Sequence, residues 1–262
     1  MLVIERQRVI LEQVRRAGVL TVRDAAWTVG ANEVTVRRDL MALASNGLIT
    51  RTRGGAVLPR GFSREKVSNE QGTRPTPELV AIAIEAASLI ASGDSIILGA
   101  GRATVALARE LNDVENLTVV TNSLLVCEVL ANAPAIELML TGGSLRRTTM
   151  TLVGPSVEQS LHGFQATVAF LSGEGLTAQH GLSISDLTVA TAERAIAAAG
   201  SRVVVLVERA KIGHPHLCQV VPSTSIEMLI TGSGPADDEL SRIAEAGVRV
   251  RIASTDCPPA RP

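Results

Sequence analysis

A predicted helix that begins after Asn32 has two chemically different sides. At 100° per residue, four apolar residues form one buried stripe: Val36, Leu40, Leu43 and Ala44. The opposite side carries Val34, Thr35 and Arg38, with Arg37 on its flank. Methyl, hydroxyl and guanidinium groups are those that contact thymine methyls and base edges in a DNA major groove. Taken alone, the helix fits a solvated face with two arginines equally well.

Five polar segments follow apolar, strand-like runs. They are residues 99–104, 121–123, 141–144, 172–175 and 208–211. If the strands are parallel, the segments lie at one edge of a sheet, where small ligands bind. Free N–H groups at the starts of the helices that follow favour an anion there, and phosphate is the natural occupant. One such turn is usually a plain connection, but five at one edge favour a binding site.

Two further groups of side chains lack the spacing of a known site. His214, His216 and Cys218 can ligate zinc, but they have neither i, i+4 nor Cys-x-x-Cys spacing, and a surface loop is the stronger interpretation. Four carboxylates could serve a sugar-phosphate isomerase as acids or bases: Glu174, Asp186, Glu193 and Glu208. No local spacing pairs two of them. We predict no metal, no cofactor and no catalytic residue; an isomerase or deaminase with a DNA-binding attachment is the alternative.

The polar face of the helix after Asn32 belongs to a predicted unit of three short helices. Apolar periodicity predicts one helix over 4–17 and a second over 22–29, which Thr21 and Asp24 open with a capping box. Asn32 then serves as the N-cap of the third helix. Three helices joined by such short turns are typical of a helix-turn-helix unit.

A hairpin and an excess of arginine complete this N-terminal segment. Two β-prone runs around Gly54 and Gly55 predict the hairpin, with Arg51 and Arg53 at its tip, within reach of a DNA phosphate or the adjacent minor groove. Residues 1–60 contain ten Arg, no Lys and five acidic residues, a local charge of +5, whereas the rest of the chain carries −6. This asymmetry favours a nucleic-acid partner, and the scarcity of aromatic residues favours duplex DNA over single strands.

Beyond residue 58 the chain changes character twice. Residues 59–77 are polar and broken by proline and glycine, which predicts a linker. A helix is predicted around 78–91, and seven apolar runs follow, at 95–98, 117–120, 136–140, 167–171, 203–207, 228–230 and 248–252. Their alternation with alanine-rich helical stretches predicts an α/β domain with a mostly parallel sheet. The predicted domains are therefore 1–58, which binds DNA, and 78–255, which senses an effector and oligomerises.

The composition excludes several classes of protein. The chain has 262 residues, 46% of them apolar, with a mean hydropathy of +0.26, which is enough to bury a core and excludes a disordered chain. No apolar run is long enough to span a bilayer, and charges interrupt the first eight residues. Three cysteines without paired spacing fit a reducing compartment. We predict a cytoplasmic protein with no membrane partner.

The N-terminal pattern resembles that of the DeoR family of bacterial regulators of sugar metabolism. The resemblance is carried by the stretches ERQRVIL at 5–11, NEVTVRRDL at 32–40 and RGGAV at 53–57. It covers residues 3–58 and implies a winged helix-turn-helix. Asn32 stands where the family usually has Ser, a change that preserves capping.

Residues 78–232 resemble the sensor domain of the same family, itself similar to the ribose-phosphate isomerase, sugar-phosphate deaminase and CoA-transferase-like folds. The family pattern has Thr-Asn-Ser after the second strand, Gly-Gly after the third and Lys after the fifth. This chain has the same residues: Thr121, Asn122, Ser123, Gly142, Gly143 and Lys211. The resemblance implies that a phosphorylated sugar meets these groups. The predicted effector site also includes Gly101, Arg102, Thr104 and Glu174.

The chain departs from the family pattern at several of these turns. The family's Asp-Ala-Gly-Thr-Thr turn has Gly99 in place of Asp, and Arg102 and Ala103 in place of the two Thr residues. Gly-Ala-Asp-Gly has become Ser-Gly-Glu-Gly at 172–175. Arg102 could hold a phosphate or carboxylate in a bidentate manner, or it could simply be exposed or pair with Glu174 or Glu208.

Together these patterns predict a sequence-specific regulator, more often a repressor than an activator, of a carbohydrate-metabolism operon. Val34, Thr35 and Arg38 would contact bases, while Arg37, Arg51 and Arg53 would contact mostly phosphates. A phosphorylated sugar or similar small anion would modulate the affinity for double-stranded DNA. Because one such head touches few bases, we expect a homo-oligomer, a dimer or tetramer, with dimer half-sites roughly 34 Å or a multiple apart.

Overall fold

The computed structural model describes residues 3–17, 19–45, 49–52, 54–57, 75–112, 114–234 and 238–255. The chain divides into two compact units, Met1–Lys66 and Val67–Pro262. Among the described residues, no helix is both long enough and apolar enough to cross a bilayer.

The described part of the N-terminal unit combines helices with a small antiparallel sheet. Its helices are α1 (Val3–Ala17), α2 (Val22–Val29) and α3 (Glu33–Ser45), and its strands are β1 (Val19–Thr21), β2 (Thr50–Thr52) and β3 (Gly55–Val57). Thr21 Oγ1 accepts the N–H of Asp24 at 3.1 Å, and Gly30 ends α2 with φ +61°. Asn32 Oδ1 accepts the N–H of Thr35 at 2.8 Å. The predicted caps at Thr21 and Asn32 are confirmed; the Asp24 carboxylate accepts the Thr21 hydroxyl at 2.7 Å.

Strand β1 was not predicted, and it adds a third strand to the predicted hairpin. The strand order is β1-β3-β2, with Gly55 opposite Thr21 on one side and Thr52 on the other. A Cβ at position 55 would lie 2.0 Å from the carbonyl oxygen of Leu20. Gly55 is therefore required by the close approach of two strands.

A largely buried ion pair joins α1 to α3. Asp39 is 3% exposed, and its carboxylate accepts hydrogen bonds from Arg6 Nε at 2.6 Å and from Gln7 Nε2 at 3.2 Å. The carboxylate raises the pKa of the Arg6 guanidinium. The apolar stripe of α3 is buried as predicted, with Val36 and Leu40 fully buried.

The C-terminal unit is built on a parallel sheet. In chain order, its strands are β4 (Ser95–Leu98), β5 (Leu117–Thr121), β6 (Ile136–Leu140), β7 (Ser144–Arg146), β8 (Thr151–Val153), β9 (Val168–Leu171), β10 (Gly175–Thr177), β11 (Gly181–Ile184), β12 (Val203–Leu206), β13 (Cys218–Val221), β14 (Met228–Gly232) and β15 (Arg249–Ala253). Within the described residues, seven of them form one sheet in the order β15-β14-β12-β9-β4-β5-β6, and every neighbouring pair is parallel. The seven predicted runs are these strands, so the α/β fold class is confirmed.

Helices cover both faces of the parallel sheet. They are α4 (Pro77–Ala87), α5 (Arg102–Arg109), α6 (Leu124–Leu130), α7 (Pro155–Leu161), α8 (Leu187–Ala198) and α9 (Asp238–Glu245), with 3₁₀ turns at Arg209–Lys211 and Ser223–Ser225. Residues of α4, α5 and α6 share one buried apolar cluster, and those of α7, α8 and α9 share another. Helix α4 ends at Ala87, four residues before the predicted end.

Two small antiparallel sheets extend the domain beyond the predicted strands. Strands β7 and β8 form a hairpin, and β10, β11 and β13 form a second sheet. The hairpin joins the parallel sheet through a bridge between Ser123 and Thr151. Both sheets originate in segments that follow strands of the parallel sheet, so they lie beside its carboxyl edge.

Candidate DNA-binding helix and effector site

The exposed side of α3 presents the groups that the sequence predicts for base contacts. Val34 is 58% exposed, Arg38 is exposed, and Thr35 is half-buried with its N–H bound to Asn32. Arg38 forms no ion pair with any described residue. Its guanidinium is therefore available to a partner outside the bundle, as the role predicted for it requires.

The other predicted DNA contacts differ from Arg38 in their surroundings. Arg37 pairs with Glu33 at 2.7 Å, one helical turn away, and both side chains are exposed, so a phosphate would compete with a weak pair. Arg51 is exposed in β2, opposite Ala56. Arg53 lies outside the described residues. Trp27, to which the sequence analysis gave no role, is 88% exposed on α2.

The five predicted ligand segments all follow strands of the parallel sheet and therefore meet at its carboxyl edge. The chain leaves β4 toward β5 and β6 on one side, then returns to β9 on the other. This reversal between β4 and β9 creates the crevice in which α/β proteins bind ligands. At that point Gly101, with φ +152°, brings its turn against Ser172, since a Cβ at 101 would lie 2.5 Å from the Ser172 Cβ.

Two cations share one carboxylate at this edge. Arg102 Nη1 lies 3.6 Å from Glu208 Oε1, and Lys211 Nζ lies 3.4 Å from Glu208 Oε2, with all three side chains half-buried. Of the alternatives left open for Arg102, the structure shows the pair with Glu208. Arg102 also begins α5, whose N-cap Gly101 contributes no side-chain acceptor to the free N–H groups. The local charge is positive, so the arrangement favours an added anion.

Several predicted effector residues are buried and hold the turns in place. Thr104 Oγ1 donates to Gly101 O at 2.9 Å, and Thr121 Oγ1 donates to Leu98 O at 2.7 Å. Thr121 Oγ1 also accepts the N–H of Ser123, which caps α6. These hydroxyls are committed to the backbone, so direct contact of Thr104, Thr121 or Ser123 with an effector stays a prediction.

Glu193 of α8 places a buried carboxyl group beside these turns. It is 1% exposed; Oε1 accepts the N–H of Ala100 at 3.0 Å and Asn122 Nδ2 at 3.1 Å. Burial raises the pKa of Glu193 to about 7, and these two hydrogen bonds oppose the rise. Oε2 and Asn122 Oδ1 have no hydrogen-bond partner among the described residues. A Cβ at Gly99 would lie 2.2 Å from Oε2, so the carboxyl group fills the space where a side chain at 99 would begin.

The remaining predicted residues lie around the small sheets. Glu174 Oε2 accepts the N–H of Ser185 at 2.8 Å and lies 3.3 Å from His216 Nδ1. Gly142 and Gly143 are exposed, and Gly143, with φ +132°, lets the β7–β8 hairpin approach, because a Cβ there would lie 2.7 Å from Val153 O. Their contact with an effector also stays a prediction.

The carboxylates considered for catalysis each have separate partners. Asp186 caps α8 and pairs with Arg146 at 3.0 Å, while Glu208 faces the two cations. In the described part of the chain, no three His, Cys, Asp or Glu side chains are grouped as metal ligands. The described carboxylates therefore do not form an acid–base pair, and the described residues add no support for a zinc site.

Comparison with known proteins assigns both units. Residues 6–61 match the DeoR-like helix-turn-helix domain, and residues 77–233 match the DeoR C-terminal sensor domain. The chain belongs to the DeoR family of helix-turn-helix transcriptional regulators. It is similar to the putative aga operon transcriptional repressor of Escherichia coli O157:H7, with 29% identity over 94% of this chain and 92% of that protein. It is also similar to the regulator GolR of Listeria innocua, with 30% identity over 95% and 98%.

Among solved structures, the chain is similar to ribose 5-phosphate isomerase A from Methanocaldococcus jannaschii, with 19% identity, a TM-score of 0.39 and 55% coverage of each chain. Gly99, where the sequence departs from the resemblance to the family's first turn, lies against the Glu193 carboxyl group. The sequence analysis weighed Glu193 only as a catalytic carboxylate, because no local signal links it to Ala100, 93 positions away.

Proposed function

We propose that this DeoR-family protein regulates a carbohydrate-metabolism operon and that a phosphorylated sugar, bound at the carboxyl edge of the sheet, changes its affinity for DNA. The proposed domains are residues 1–58 for DNA binding, 59–77 as a linker and 78–255 for sensing and oligomerisation. The observation that carries the DNA-binding role is the exposed Arg38, which has no ion-pair partner among the described residues, near Val34 on the capped third helix. Relatives named as transcriptional repressors support the same role.

Substituting two arginines is expected to separate base contacts from phosphate contacts. Arg38→Ala should cost roughly 1–3 kcal/mol of binding free energy at one base position and relax the preference there. Arg51→Ala should weaken binding to every sequence and reduce the log–log slope of affinity against salt by about 0.9. Competition binding with operator variants, repeated over a salt series, measures both effects.

Arg242→Ala is the matched control, because Arg242 is exposed on α9 of the other unit. It should alter neither the sequence preference nor the salt slope. An Arg38→Ala protein that retains the full base preference would contradict the base-contact role.

For the effector, the shared carboxylate of Glu208 supports a phosphate position between Arg102 and Lys211. A phosphate would replace the long contacts to Glu208 with charge-assisted hydrogen bonds. Lys211→Ala is expected to weaken sugar-phosphate binding by about 10- to 100-fold, which removes the thermal stabilisation that the ligand produces. Melting curves with and without a panel of sugar phosphates measure this, with Arg242→Ala as the control; undiminished stabilisation in Lys211→Ala would place the site elsewhere.

Effector binding can change DNA affinity only if it favours one arrangement of the DNA-binding units over another. We propose a homo-oligomer as the assembly in which this occurs. A mobility-shift assay on DNA that flanks the coding region, repeated with each sugar phosphate, tests the whole proposal. If the protein shows no preference for that DNA over random duplex under any ligand condition, the proposed function is rejected.

A further inference from the structure

Two neighbouring residues at the carboxyl edge, Glu193 and Asn122, each have one buried acceptor oxygen without a donor among the described residues. Glu193 Oε2 and Asn122 Oδ1 have no hydrogen-bond partner among the described residues, although the other polar atoms of both side chains are bonded. A buried acceptor that lacks a donor costs free energy, and a buried carboxylate costs more. The pair therefore favours a partner that brings hydrogen-bond donors.

The position of this pair links it to the proposed phosphate site. Ala100, which donates to Glu193, and Arg102, which faces Glu208, lie on one turn. Two residues span at most about 7 Å of extended chain. A sugar whose phosphate is held by Arg102 and Lys211 would thus bring its remaining polar groups close to Glu193 and Asn122.

We infer that Glu193, supported by Asn122, accepts a hydrogen bond from a hydroxyl or ammonium group of the effector and so distinguishes a donor-bearing phosphate from phosphate alone. The inference rests on the effector site proposed above. Position 99 makes it possible, since any side chain there would occupy the space of the carboxyl group. A site built to pair with a donor discriminates strongly against a ligand that lacks one, because its buried acceptor is then left unpaired.

Contact with a ligand requires the turn at 99–102 to move. Oε2 has almost no accessible surface, and the backbone of Gly99 lies directly against it. On this proposal, a donor that binds Oε2 displaces the turn that also carries Arg102.

The test is calorimetric titration of the full-length protein with four probes: inorganic phosphate, glucose 6-phosphate, galactose 6-phosphate and glucosamine 6-phosphate. In the wild type, at least one sugar phosphate should bind more tightly than inorganic phosphate. Glu193→Gln should lower that affinity ratio by about 10- to 100-fold and leave the affinity for inorganic phosphate unchanged. If the donor is an ammonium group, the affinity for glucosamine 6-phosphate should fall most. If the donor is a hydroxyl group, the affinities for glucose 6-phosphate and galactose 6-phosphate should fall most.

Two further variants keep the inference testable. Gly99→Ala displaces the carboxyl group without removing it, because its Cβ would lie 2.2 Å from Oε2, and should reproduce the loss. Glu158→Gln, an exposed position on α7, should change no affinity. If both Glu193→Gln and Gly99→Ala keep the wild-type ratio while Lys211→Ala weakens all probes, the phosphate site stands and the inference is overturned. If no probe binds the wild type, both the effector site and the inference fail.

Discussion

Glu193→Gln is expected to stabilise the sensor domain at neutral and alkaline pH. The buried carboxyl group has its pKa raised from 4.5 to about 7, so the folded protein disfavours the charged form. Between those two values the folded state holds a proton that the unfolded state has released. The free energy of unfolding of the wild type therefore falls as pH rises through this window, by about 3 kcal/mol in total, and levels off above it. Glutamine removes the ionisation and hence this loss.

Urea denaturation of wild type and Glu193→Gln at a series of pH values from 4 to 8 checks this expectation. The two proteins should approach each other in stability at the acidic end and diverge toward pH 8, with the variant the more stable. Glu158→Gln should follow the wild type throughout. Equal stabilities of wild type and Glu193→Gln at pH 8 would show that the carboxylate is compensated in the folded state. Greater stability together with lost sugar selectivity would identify Glu193 as a group retained for function at the expense of stability.

Asp39→Asn is expected to destabilise the N-terminal unit by more than the loss of an exposed ion pair does. Asp39 is 3% exposed and its carboxylate accepts from Arg6 and Gln7, so a neutral amide there weakens a charge-assisted hydrogen bond and places an NH₂ group against these donors. A unit of this size has little stability to spare. DNA binding should weaken as a result, although Asp39 is itself buried.

Hydrogen exchange of the α1 and α3 amides in the full chain measures this effect, because exchange reports the local free energy of opening. The matched control is Glu33→Gln, which breaks an exposed ion pair on the same helix and should change stability by less than about 1 kcal/mol. Amides of α1 that exchange equally slowly in Asp39→Asn and wild type would contradict the role given to the ion pair.

Local patterns in the sequence predict most of the fold. The helix caps at Thr21 and Asn32 are confirmed, and they were predictable because each joins residues three positions apart. The seven strands of the parallel sheet were predictable as well, since strands covered on both faces are continuous apolar runs. The short strands β1 and β7 carry too few residues to show a period, and their pairing is decided by distant partners.

The candidate site was predictable only in part, for a related reason. The polar turns could be predicted because each follows an apolar strand in the sequence. The pair between Arg102 and Glu208 was one of the predicted alternatives, and the structure shows it. The contact of Glu193 with Ala100 depends on how α8 packs against the sheet, 93 positions along the chain. Periodicity indicates that one side of a helix is buried, but it does not indicate which polar group that side brings to a distant turn.

The placement of Trp27 gives the two units different optical properties. It is the chain's single tryptophan, there is no tyrosine, and it lies 88% exposed on α2, the helix that precedes α3. Tryptophan emission thus originates entirely in the N-terminal unit. We expect quenching or anisotropy of that emission to report DNA binding without an attached label, with no tryptophan signal from the larger unit.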